Sequence, residues 1–166
     1  MHPAIRSSLL VLTLAGCTFG FKSGGGLPPD VRTVAVLPFE NETSDATLGQ
    51  QVNLAVREAV ERRLGLRAAT EAKADAVVRG RITRYDPDVP TSYSGSGQGG
   101  AVQVTRRQLS VTIAIEMVAK KDGRMLFQER TLSATGDYEP GREAEGRRKA
   151  LEVLVTTIVD KAQSQW

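Results

Sequence analysis

Histidine and cysteine are almost missing from this 166-residue chain, which has one of each, His2 and Cys17. That scarcity excludes His- or Cys-ligated metal centres, serine–histidine catalysis and internal disulfides, and no cofactor is implied. Excess charge is scarce too. The chain has 22 basic and 19 acidic residues, and removing residues 1–16 takes away only Arg6, which leaves 21 against 19 and a net charge of +2. A charge that small does not argue for a nucleic-acid partner. No apolar run approaches the roughly 20 residues that span a bilayer as a helix. Catalytic spacing is absent as well. Asp75, Glu116, Asp137 and Glu139 form no pair set across a cleft, and the glycine-rich "GSGQGG" leads into a strand pattern, not the helix that a phosphate loop needs. The chain reads as a non-enzyme.

What is present begins with a targeting segment. Arg6 supplies a positive start, Leu9–Leu14 an apolar stretch, and Ala15 and Gly16 the small residues of a cleavage site. Leu14, Ala15, Gly16 and Cys17 resemble, position by position, the lipobox of bacterial lipoproteins. In that motif the cysteine is diacylated on sulfur and becomes the first residue. By that resemblance residues 1–16 are a lipoprotein signal peptide and Cys17 is the lipidation site, whose several acyl chains give about 0.8 kcal/mol per buried methylene. Thr18 stands where an aspartate would favour inner-membrane retention, so the resemblance implies the outer membrane. Residues 17–30, "CTFGFKSGGGLPPD", form a flexible tether rich in Gly and Pro, and residues 31–166 form a single domain.

Within that domain, "VRTVAVLPFEN" is apolar on both faces and predicts a central strand. Leu48, Val52, Ala55, Val56, Ala59 and Val60 recur at helical spacing, and Gly65 closes that helix. A short strand follows at Leu66–Ala69 and a longer one at Ala76–Tyr85, where Val78, Gly80 and Ile82 alternate with Arg79, Arg81 and Thr83. Pro87–Ala101 reads as a mobile hairpin loop from its Pro, Ser and Gly content. Leu109, Val111, Ile113, Ile115 and Met117 then alternate without a break, "KKDGR" gives an Asp-Gly turn, and "MLFQERTLSATGDY" returns as the partner strand. Leu151, Leu154, Val155, Ile158, Val159 and Ala162 mark a closing helix. The expected fold is α+β: one sheet of about four strands, in strand-helix-strand-strand-strand-helix order, with two helices packed on one face.

The series of lipobox cysteine, "FGF" tether, "LPPDVRTVAVLPFENET", "ADAVVRGRITRY", long hairpin, "GDY" and a last helix ending at Trp166 resembles the lipopolysaccharide-assembly lipoprotein family, LptE. The resemblance implies a periplasm-facing lipoprotein of the outer membrane. Such a protein plugs the β-barrel lipopolysaccharide translocon of LptD type, binds lipopolysaccharide and is not an enzyme. The "VAVLPFEN" opening also resembles envelope lipoproteins of the penicillin-binding-protein-activator and curli-secretion type. That leaves a scaffold as the alternative.

A phosphate-bearing glycolipid calls for cations on a fixed surface. Three groups qualify: Arg79, Arg81 and Arg84; Arg106 and Arg107; and Lys120, Lys121 and Arg124. Pairing of the two long strands would let Arg79, Arg81 and Arg107 share the uncovered face of the sheet. Arg142, Arg147, Arg148 and Lys149 read as a solvated helix face. Tyr85 and Tyr93, near the ends of the loop, are the candidates for contact with a barrel wall, because tyrosine buries area while keeping a hydroxyl free to hydrogen-bond.

Overall fold

The structure, a computed structural model, describes residues 27–95 and 101–164. The signal peptide, Cys17 and Trp166 therefore lie outside the described residues. In chain order the elements are β1 (Thr33–Val36), β2 (Glu40–Asn41), α1 (Leu48–Arg63), β3 (Arg67–Ala68), β4 (Ala76–Ser94), β5 (Gln103–Ala119), β6 (Met125–Tyr138) and α2 (Glu143–Ser164).

Both helices form where the apolar stripes predict them. Asp45 prepares the start of α1: its Oδ1 accepts from the Thr47 amide at 2.9 Å, the Thr47 hydroxyl at 2.7 Å and the Leu48 amide at 3.2 Å. Gly65, at φ 69°, ends the helix in a left-handed conformation that a Cβ would strain. In α2, Glu143 and Glu145 sit in the first turn, where the helix dipole favours negative charge.

The sheet is mixed, in the order β3-β1-β4-β5-β6, with β2 also pairing with β4. β1 runs parallel to β3 and β4, while β4, β5 and β6 form an antiparallel meander. The sheet has six strands, not about four, because the short β3 joins it beside β1 and the opening apolar run divides in two. Pro38 has no amide hydrogen to give a ladder, so β1 stops at Val36 and a separate two-residue β2 pairs further along β4. Leu109 to Ala119 alternate buried and half-buried, and the buried row joins Leu48, Val52, Val56, Leu154 and Ile158 in one core under the helices. No helix of the described residues lies over the opposite face. Leu27, inside the tether as read from the sequence, packs against the core.

The largest correction concerns Pro87–Ala101. Residues 87–94 continue β4 as a strand paired with β5, across register shifts between Asp86 and Val89, Pro90 and Ser92, and Ser92 and Tyr93. Beyond Ile82, β4 has no neighbour on its other edge among the described residues, so Pro87 and Pro90 forfeit no ladder bonds there. β6 ends opposite Arg107, and from that point the β4–β5 hairpin projects alone as a two-stranded ribbon. Residues 96–100 of the loop lie outside the described residues.

A single carboxylate fastens β1 to β4. Asp75 Oδ2 accepts from the Arg32 amide at 3.0 Å, the Thr33 amide at 2.9 Å and the Thr33 hydroxyl at 2.7 Å. The Thr33 hydroxyl bond and these amides hold its pKa below the ordinary aspartate value. With the folded value depressed, the stabilisation is complete above the ordinary aspartate range and is lost as pH falls through the depressed value. Asp75→Asn is therefore expected to be less stable than wild type at neutral pH, with the gap closing in acid. Urea midpoints taken from pH 7 down to pH 3 check it, and a gap independent of pH would reject the assignment.

Candidate functional site

The arginine row of β4 lies on the uncovered face. Ala76, Val78 and Ile82 point into the core, so Arg79 and Arg81 point away from it. A bulge at Thr83 keeps Arg84 on the open side, opposite Thr112. Arg79 and Arg81 border an open cleft of about 500 Å³ with Glu116, Gln128 and Arg130. Arg130, from β6, was not among the basic residues singled out from the sequence. It reaches this face because the β5–β6 register shifts between Ile113 and Ile115, which breaks the alternation of β6.

The remaining cations are spread out. Arg81 lies 3.8 Å from Glu42, and Arg84 Nε donates to Asp86 at 2.6 Å, a bond that raises the Arg84 pKa. Arg106 borders a smaller hollow of about 120 Å³ with Asp137, Glu139, Arg142 and Lys149. Lys120 Nζ donates to the carbonyls of Glu71 at 2.5 Å and Ala72 at 3.2 Å. Arg124 lies 3.7 Å from Asp122, and Lys121 is exposed at the turn. Arg106 and Lys120 stand near opposite ends of β5, which at about 3.4 Å per residue puts them almost 50 Å apart. The three groups do not converge.

Arg107 does not share the open face as the pairing argument expected. It is the register partner of Tyr138 on the helix side and forms an ion pair with Asp88. That bond, first among its causes, raises the Arg107 pKa. Tyr138 itself is buried, and its hydroxyl donates to the Pro87 carbonyl at 2.7 Å, which ties the base of the ribbon to β6. Tyr138→Phe is expected to cost about 1 kcal/mol. It should also speed amide exchange at residues 88–92, and unchanged exchange there would show that the bond does not hold the ribbon.

Tyr85 turns inward. It packs against the core with its hydroxyl buried and unpartnered, and burial raises its pKa. The Arg147 guanidinium lies 5.3 Å from its ring centroid and 2.8 Å from Asp45 Oδ2. This removes Tyr85 from the exposed surface and corrects the reading of Arg147 as a solvated residue: it links α2 to the start of α1. Lys149, too, is engaged, donating to the Asp137 carbonyl at 3.0 Å on the open edge of β6. Tyr93 stays 61% exposed on the ribbon, with Val102 at 72%.

No helix among the described residues is long and apolar enough to cross a membrane. A family model described as LptE, lipopolysaccharide-assembly, matches residues 31–165. No curated protein matches the chain. Among solved structures, the chain is similar to the PelC dodecamer from Paraburkholderia phytofirmans, with TM-score 0.52, 16% identity, and coverage of 85% of this chain and 94% of that one. It is also similar to protein XCC0632 from Xanthomonas campestris, with TM-score 0.53, 10% identity, and coverage of 84% and 86%. A third is the hypothetical protein CT253 from Chlamydia trachomatis, with TM-score 0.50, 11% identity, and coverage of 81% and 94%. At such identities the likeness speaks for the fold.

Proposed function

The chain belongs to the lipopolysaccharide-assembly family LptE, and on that premise we propose that it is the plug and assembly partner of a β-barrel lipopolysaccharide translocon of LptD type. In this reading residues 1–16 are removed and lipid on Cys17 holds the protein to the outer membrane. The tether of residues 17–30 sets the domain on the periplasmic side, and the domain binds lipopolysaccharide during its insertion.

The observation that carries the reading is the uncovered sheet face. It bears Arg79, Arg81, Arg84 and Arg130 beyond a small apolar patch of Ala35, Ala74 and Val77 at the β1 end, and continues into a ribbon that stands clear of the helices. A plug inside a barrel meets a polar lumen, so such a face is an asset there, where an apolar one would not be. Tyr93 at the ribbon end offers area and a hydroxyl to a barrel wall.

The test is affinity purification of the full-length lipidated protein from its own outer membrane, with mass spectrometry of what stays bound in detergent. A large β-barrel recovered in near-equal amount supports the reading. Replacing residues 89–104 by a short turn should then lower that recovery about tenfold or more, while the thermal midpoint moves by no more than about 2 °C. Recovery of a ring of copies or of a cell-wall synthase, with no barrel, would favour the scaffold alternative; the similar PelC structure is itself a dodecamer.

A further inference from the structure

The sheet register gathers one end of five strands into a single row. Arg67 of β3 pairs with Thr33 of β1, Val34 with Ala76 of β4, Ala76 with Ala119 of β5, and Val118 with Met125 of β6. Across that end stand Arg32, Arg67, Lys73, Lys120, Lys121 and Arg124, all exposed. At about 4.8 Å between neighbouring strands, the row from β3 to β6 is about 19 Å wide. Arg62 and Arg63, in the last turn of α1, add to it from the helix layer, since only residues 64–66 separate α1 from β3.

These eight cations stand among five carboxylates of the same stretches, Asp30, Glu61, Glu71, Asp75 and Asp122, which leaves a net charge of +3. The chain without residues 1–16 carries +2 in all, so everything else in it sums to −1. The excess positive charge therefore lies at this end. Asp75 is already engaged there by the Arg32 and Thr33 amides, and Arg67, Lys73 and Lys121 form no ion pair among the described residues. Met125, 43% exposed at the start of β6, gives the same end an apolar side chain.

The described chain also begins here. The Val31 amide donates to the Pro28 carbonyl at 3.0 Å in the turn before Arg32, and Leu27 packs against the core. Residues 17–26 separate Leu27 from Cys17, and ten residues reach no more than about 35 Å when fully extended. A lipid on Cys17 would keep this end close to the membrane at a high effective concentration, so a few charges suffice to decide which side of the domain meets it. Each cation near an anionic leaflet favours contact by about fivefold, and only within a Debye length of about 8 Å. The ribbon, at the other end of β5, is far outside that range.

We infer that this end of the domain docks on an anionic phospholipid leaflet, with its cations against the lipid phosphates and Met125 in the headgroup layer. The inference rests on the lipid-anchor reading and goes beyond it, because it sets the orientation of the domain before a barrel is met. The ribbon then points away from the leaflet.

The experiment places the full-length lipidated protein in vesicles of phosphatidylcholine, alone or with about one-third phosphatidylglycerol, and first follows its flotation with them. Ala72→Cys at the basic end and Ser92→Cys on the ribbon each carry a fluorophore, and a quencher on the lipid headgroups reads their distance from the membrane. An acylated Cys17 leaves no other thiol to label. With phosphatidylglycerol, the label at position 72 is expected to be quenched about threefold more than the label at position 92, and about 0.5 M salt should remove the difference. Arg67→Gln/Lys73→Gln/Lys121→Gln changes three exposed side chains, should melt like wild type, and is expected to bring the two labels to about equal quenching. Equal quenching in wild type, the same ratio without phosphatidylglycerol, or an unchanged ratio in the triple variant would overturn the docking. A protein that floats yet shows equal quenching loses only the orientation; one that does not float loses the lipid-anchor reading with it.

Discussion

Gly136→Ala is expected to unfold about 10 °C below wild type, from a loss of about 3 kcal/mol. A Cβ built at Gly136 would stand 2.0 Å from the Gly146 carbonyl oxygen and 2.7 Å from the Ala150 amide nitrogen. Both are backbone atoms of α2, so no rotamer change relieves the clash and the helix must move off β6. Gly146 has the reciprocal role, since a Cβ there would come 2.4 Å from the Tyr138 ring. The pair lets strand and helix backbones touch, and Ala150, fully buried, keeps the next turn equally close. Thermal unfolding followed by circular dichroism checks this. A midpoint within about 2 °C of wild type would mean that α2 retreats at little cost and that the close approach is not a constraint.

Phe127→Ala is expected to cost about 3 to 5 kcal/mol, the range for truncating a buried phenylalanine. Phe127 is 1% exposed and is the largest fully buried side chain among the described residues, in the core that β6 shares with both helices. Its neighbours Gln128 and Arg130 face the other way, so the two sides of one strand can be separated by experiment. The urea midpoint should fall with an unchanged slope, since the surface exposed on unfolding hardly alters. Below the transition the binding of lipopolysaccharide proposed above should persist. A variant with wild-type stability would contradict the packing, and a folded variant that no longer binds would show that the two faces are coupled.

Much of this architecture was legible in the residues because period and burial agree. Both helices carry an unbroken apolar stripe, and the β5 row from Leu109 to Met117 alternates without a fault, so packing and local preference point the same way. Arg79 and Arg81 were legible for the same reason, being the polar half of a clean alternation. What was not legible lies where alternation is interrupted. Arg130 follows a register shift, and the strand over Pro87–Ser94 is written in residues that usually end strands. Its edge has no neighbour to object to proline, a fact of sheet order that no local window contains. Contacts across large separations were equally hidden. Arg147 reaches Asp45 and the ring of Tyr85, and the Tyr138 hydroxyl reaches Pro87, through the fold alone.

The Asp75 clasp has a mechanical consequence. A pull on the chain ahead of Leu27, such as a membrane-held N-terminus would transmit, meets the packing of Leu27 and Val31 and then Arg32 and Thr33, the two residues whose amides Asp75 grips. β1 has only four residues, but it lies between two parallel neighbours, so a load along its axis strains the bonds to β3 and β4 together instead of peeling them one at a time. The carboxylate shares that load at the start of β1. Protonating it would soften the attachment point before the rest of the sheet feels the force.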